Sequence, residues 1–113
     1  MRKVRIRENS WIARLAARKL KFHRVAIVIG RTIFLYNVTS ANFIKSRRWV
    51  MHELKHVEQF EREGWFRFLW LYMLDYLKAG YYNNRFEIEA RNAETEEGLL
   101  FKYDLSAYLK PAS

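Results

Sequence analysis

The sequence predicts an α+β domain, and three features point that way. A basic amphipathic helix opens at a good N-cap residue, a β-branched run folds back at a glycine, and glycines then punctuate a train of three helices. One domain over residues 1–113 is expected, because 113 residues suffice for a single core and no repeat, linker or low-complexity tract divides the chain. Half of the residues are apolar and 17% are aromatic, which excludes intrinsic disorder. Cysteine is absent. That excludes a disulfide scaffold, a thiolate zinc finger and a cysteine nucleophile, so any metal must be held by histidine and carboxylate.

The first helix starts near Ser10. Trp11, Ile12, Leu15, Ala16 and Leu20 gather on one face, with Arg14, Arg18 and Lys21 largely on the other. Such a helix packs on a core or lies on a membrane surface. Val25–Ile29 and Thr32–Tyr36 then read as antiparallel strands, since Gly30-Arg31 fits a two-residue type II′ turn. A helix is expected from Ser46 to Glu63, stopped by Gly64, and a short apolar helix from Trp65 to Leu77, ending before Gly80. In the latter, Phe66, Leu69, Trp70, Met73 and Leu77 share a face, while Phe68, Leu71 and Tyr72 lie elsewhere. So small a domain can hardly cover both sides, which predicts a homodimer or a lipid contact. Asn84 caps a last helix to about Glu97, before Gly98. The tail, residues 99–113, keeps Leu100, Phe101, Tyr103, Leu105, Tyr108 and Leu109, too apolar for a free end. It is expected to dock, covering the cleft and holding an enzyme latent.

Charge is uneven. Residues 1–50 carry thirteen Lys or Arg against one acid, Glu8, while residues 51–113 carry eight against eleven. A basic half suits solubility, an anionic membrane or nucleic acid. Nucleic acid is disfavoured as a partner, because the aromatics concentrate in an apolar helix rather than among the cations. No stretch reaches the ~20 apolar residues of a spanning helix. The longest, Trp65 to Leu77, is broken by Arg67 and Asp75. The basic N-terminus lacks the apolar run and cleavage site of a signal peptide, so the cytoplasm is the expected compartment, with membrane association as a variant.

Residues 52–56 read His-Glu-Leu-Lys-His, an H-E-x-x-H inside the helical segment. Four helical residues turn ~400°, so His52 and His56 leave one face a turn apart and can reach one metal ion. Glu53 is offset by ~100°, beside the metal, where it can hold a water. A chance match arises in roughly one such chain in a hundred, leaving an ordinary amphipathic helix with two histidines. Catalytic zinc usually has a third protein ligand. Glu87, Glu89 and, more distantly, His23 are candidates. Glu87 and Glu89 diverge by ~200° on a helix, so only one can face the metal. Ala90 shares the side of Glu87 and permits a close helix approach. A competing role for Glu87 is a capping box with Asn84.

His52-Glu53-Leu54-Lys55-His56-Val57-Glu58-Gln59, followed by Glu87-Ile88-Glu89-Ala90, resembles a gluzincin zinc peptidase. More narrowly, it is similar to the minigluzincins, and through them to the catalytic part of integral-membrane zinc peptidases of the prenyl-protein protease type. These families carry H-E-x-x-H and then E-x-x-A-D on a later glutamate helix. The resemblance spans about residues 25–97. It implies a zinc-dependent metalloendopeptidase fed by a peptide or protein substrate, with Zn2+ held by His52, His56 and Glu87 and with Glu53 as catalytic carboxylate. The family Asp after the Ala is Arg91 here. Arginine cannot accept a hydrogen bond, so a backbone carbonyl, Glu89 or Glu94 must steady a ligand histidine instead.

Under this reading Glu53 takes the proton of the attacking water and passes it to the leaving amine. Tyr81, Tyr82 and His23 are candidate oxyanion stabilisers. The expected edge strand for pairing an extended substrate is Thr32, Ile33, Phe34, Leu35 and Tyr36. The alternative is a basic zinc-binding module, associated with membrane or nucleic acid and with little or no peptidase activity.

Overall fold

A computed structural model describes residues 2–108. Along the chain run β1 (Arg2–Lys3), β2 (Arg5–Arg7), α1 (Trp11–Leu20), β3 (Val25–Ile29), β4 (Thr32–Tyr36), α2 (Ser40–Lys45), α3 (Arg47–Glu63), α4 (Trp65–Ala79), α5 (Arg85–Asn92), α6 (Leu99–Lys102) and β5 (Tyr103–Asp104). A 3-10 turn follows α5 at Ala93–Thr95, and another closes the described chain at Ser106–Tyr108. The fold is mixed α+β. No helix among the described residues is long and apolar enough to cross a membrane.

The hairpin forms as its sequence predicts. Gly30 sits at φ +64°, and the register closes on Ile29 opposite Thr32. Strand alternation then sorts the side chains onto two faces. Ile33 and Leu35, both fully buried, join Leu54, Val57 and Phe43 in the main core beneath α2 and α3. Phe34, Tyr36, Val25 and Ile27 turn the other way and pack on α1. Gly30 also lies under the Trp65 indole, so close that a Cβ would fall 2.2 Å from it. The turn is thereby tied to the start of α4.

Three placements differ from expectation. First, α1 buries Ala13 and Ala17, with Ala16 half-buried beside them, while Trp11 and Leu15 are exposed. Small side chains let the helix approach the sheet closely, and that packing outweighs the larger apolar face. Second, the basic N-terminus is structured. Val4 and Ile6 alternate with cations and are buried, and β2 pairs parallel with β4, matching Ile6 to Ile33. The sheet order is therefore β2-β4-β3. Thr32–Tyr36 is the central strand, its backbone engaged on both sides, and cannot serve as the expected edge. Val25–Ile29 is the edge instead. Third, α5 ends at Asn92 rather than near Glu97, and α2, capped by Thr39 and anchored by buried Phe43, had no expectation at all.

The tail docks, but residues 99–108 do not line the cleft. Leu99 is fully buried in the main core, Tyr103 and Leu105 join it, and β5 pairs parallel with β1. The Tyr108 hydroxyl accepts the Ile6 amide at 2.9 Å. Leu109, at the end of the apolar tail, lies outside the described residues. Deleting residues 99–113 is therefore expected to unfold the chain rather than activate it, and Leu99→Ala should cost about 2–5 kcal/mol. Denaturant titration checks both; a truncated chain that melts like the parent contradicts this packing.

Candidate metal centre

The segment 47–63 has the apolar spacing of a buried helix, and α3 is the spine of the molecule, with Val50, Met51, Leu54, Val57 and Phe60 all buried. Its register sends His52, Glu53 and His56 toward α5. Asn84 starts α5 by accepting the Phe86 amide at 2.9 Å through its side chain. Phe86 then joins Phe60 and Phe68 in an aromatic cluster linking α3, α4 and α5, with ring centroids 4.6 and 5.0 Å apart in edge-to-face pairs. That cluster, with fully buried Ala90, fixes where Glu87 emerges.

Glu87 bridges both histidines. Its Oε1 lies 3.0 Å from His52 Nε2 and 3.2 Å from His56 Nε2. One ligand atom from each of the three residues falls within 4.8 Å of the others. Four-coordinate zinc with bonds of ~2.0–2.1 Å sets its ligand atoms ~3.3 Å apart, close to the 3.0 and 3.2 Å that separate Glu87 Oε1 from the two imidazoles. Two imidazoles and one carboxylate this close together form a donor set that could hold a metal ion. Glu87 is not a capping-box member, since its carboxylate is spent on the imidazoles and on Tyr72.

Each histidine is held from behind. His52 Nδ1 lies 2.9 Å from Glu94, and His56 Nδ1 lies 2.8 Å from the Gln59 carbonyl oxygen. With these nitrogens donating, both Nε2 atoms face the gap. Gln59 is fully buried and donates in turn to the Phe86 carbonyl at 3.0 Å and to Glu89 at 2.6 Å. Arg62 clamps Glu89 through two nitrogens. The Tyr72 hydroxyl donates to the second Glu87 oxygen at 2.5 Å. Glu89 thus lies outside the His52–His56–Glu87 cluster and supports Gln59. Arg91 turns outward, stacks on Tyr82 and bonds its carbonyl.

Of the other expected site residues, only one sits close to Glu87. Tyr81 lines the cleft beside it. Tyr82 is 70% exposed beneath Arg91. His23 is exposed at the cleft rim, where the Asn37 amide donates to its carbonyl and approaches its ring; it is not in the histidine–glutamate cluster. The sequence reading missed Tyr72 and Gln59. Gln59 follows His56 by three positions, a spacing that puts it on the same face; Tyr72 is hidden in an apolar helix.

The cleft holds about 840 Å³. Its floor is the edge strand β3, its walls come from α1 and α4, and Glu53, His56 and Glu87 stand at its base. Burial pushes Glu53 up to about 7, against the pull of the two histidines. Burial opposes charge on His52, but the Glu87 hydrogen bond, the Glu53 charge and the Glu94 hydrogen bond raise it to about 9. Burial also opposes charge on Glu87, yet both imidazoles and Tyr72 hold its carboxyl far below the carboxylate range. Burial, then the Glu87 and Glu53 charges, keep the Tyr81 phenol protonated. No family model, curated protein or solved structure matches this chain.

These shifts set the pH response of the metal-free chain. His52 contributes stability below its ordinary value of 6.5 and loses it as pH rises through about 9. Glu53 contributes below 4.5 and loses that through about 7, whereas the Glu87 contribution is present above 4.5 and lost on acidification. Stability should peak on the acid side of neutrality and fall steadily toward pH ~10. Denaturant midpoints across that range measure it, and a midpoint rising into alkali contradicts the assignment.

Proposed function

We propose that the chain is a zinc-dependent metallopeptidase that hydrolyses peptide bonds, as its resemblance to the minigluzincins implies. One observation carries the reading: His52, His56 and Glu87 converge from two helices at the base of a cleft, with buried Glu53 beside them. His52 Nε2, His56 Nε2 and a Glu87 oxygen would hold Zn2+. When bound, the ion supplies Lewis acidity, acidifying water and polarising a carbonyl.

The chain's own groups supply the rest. Glu53, near 7, is matched to neutral pH: it accepts the proton of the attacking water and returns it to the departing amine nitrogen. Tyr81, which lines the cleft beside Glu87 and stays protonated, would steady the oxyanion. An extended substrate pairs with the free edge of β3, Val25–Ile29, and so lies along the cleft floor. Glu94 takes the supporting role that Arg91 cannot.

Protein never exposed to nickel resin is expected to carry about one zinc per chain by elemental analysis, and Glu53→Gln should retain it. Hydrolysis of an unstructured peptide by Glu53→Gln should fall by about 10²–10⁴-fold. Absence of zinc from the parent, or full activity in the variant, contradicts the proposal. Glu94→Ala should weaken zinc affinity by about 10–100-fold while the fold persists, measured by competition with a chromogenic chelator. Unchanged affinity would show that Glu94 does not position His52.

A further inference from the structure

The outer half of α4 has no partner among the described residues. Phe66, Leu69, Trp70, Met73 and Leu77 form one stripe, with Phe66 88%, Leu77 72% and Trp70 65% exposed. Only Phe68 of this helix is fully buried. Globular surfaces seldom leave so large a contiguous aromatic and aliphatic face in water. Across the cleft, the outward face of α1 repeats the chemistry in a different mix. Trp11 and Leu15 are exposed there, interleaved with exposed Arg14, Arg18 and Lys19. Leu69, Met73 and Leu77 from one wall, and Lys19 and Phe22 from the other, also line the cleft, so the two surfaces meet at its mouth.

We infer that this surface docks the chain onto a bilayer bearing anionic headgroups, with α4 sunk among the acyl chain ends and α1 among the phosphates. Charge selects that occupant. From Asn9 to His52 the sequence holds not one acid, and Arg67 and Lys78 flank the α4 stripe. Trp and Phe facing apolar medium with Lys and Arg at the level of the headgroups is the pattern of an interfacial helix. A second copy of the chain fits less well, because apposing identical faces brings two sets of α1 cations together. Nucleic acid would meet the cations but leave the α4 stripe in water. The inference does not depend on zinc or on hydrolysis.

The test uses the full chain and vesicles of phosphatidylcholine, alone or mixed with phosphatidylglycerol. Cosedimentation is expected with the mixed vesicles, weakening with salt. Phe66→Ser/Trp70→Ser, changes at exposed positions, should lower the partition coefficient at least about tenfold, and so should Arg14→Glu/Arg18→Glu. Circular dichroism checks that the variants fold. Independently of any variant, brominated acyl chains should quench the parent's fluorescence, since Trp70 is in the α4 stripe and Trp11 on the outward face of α1, both exposed. No sedimentation with anionic vesicles, or no quenching, overturns the inference. So does a Phe66→Ser/Trp70→Ser chain that binds vesicles normally, or one whose only change is from dimer to monomer in sedimentation equilibrium. Tight duplex DNA binding without vesicle binding overturns it as well.

Discussion

Everything in the cleft depends on one buried carboxylate placed between two imidazoles. Glu87 is 3% exposed, and removing a carboxylate from water is costly unless charge and hydrogen bonds compensate. His52, His56 and Tyr72 provide that compensation, so α3, α4 and α5 must meet at this point. The aromatic cluster of Phe60, Phe68 and Phe86 packs alongside. Polar bridge and apolar cluster thus define the same junction, and a shift in one disturbs the other.

The same junction gathers donors that could hold a cation. A histidine pair pinned through both Nδ1 atoms loses little rotamer freedom when its Nε2 atoms coordinate, and Gln59, itself anchored to Phe86 and to the Glu89–Arg62 pair, spreads that support over two helices. No buried side-chain nitrogen or oxygen among the described residues lacks a partner. The site is therefore satisfied by its own hydrogen bonds, and a metal would replace the bonds between Glu87 and the imidazoles rather than fill a gap. Glu53 stands apart from these bonds, buried and raised to about 7.

Local features were legible in the sequence; long-range pairings were not. The Gly30 turn, the Gly64 and Gly80 stops, the Ser10 and Asn84 caps and the pairing of His52 with His56 all rest on contacts a few residues apart, and each appears in place. The N-terminal strands were lost because Ile6 pairs with Ile33, and that one pairing also moved the free edge from Thr32–Tyr36 to Val25–Ile29. The tail was read as a cover because its apolar residues gave no address; β1 and the α3 core supply one. The choice of Glu87 over Glu89 followed from helix geometry, whereas the choice between Glu89 and Glu94 as the support of His52 depended on where α5 breaks into its final turn. On α1, counting large apolar residues misled, because Ala13 and Ala17 make the contact and Trp11 and Leu15 remain outside.

The most direct test of the central claim is X-ray absorption at the zinc edge on the zinc-loaded chain, compared with Glu87→Gln. The account predicts two imidazole nitrogens and light oxygen donors at ~2.0–2.2 Å in a four-coordinate shell, with the shell altered or lost in the variant. A shell of oxygens alone, a single histidine, or a spectrum unchanged by Glu87→Gln would contradict it.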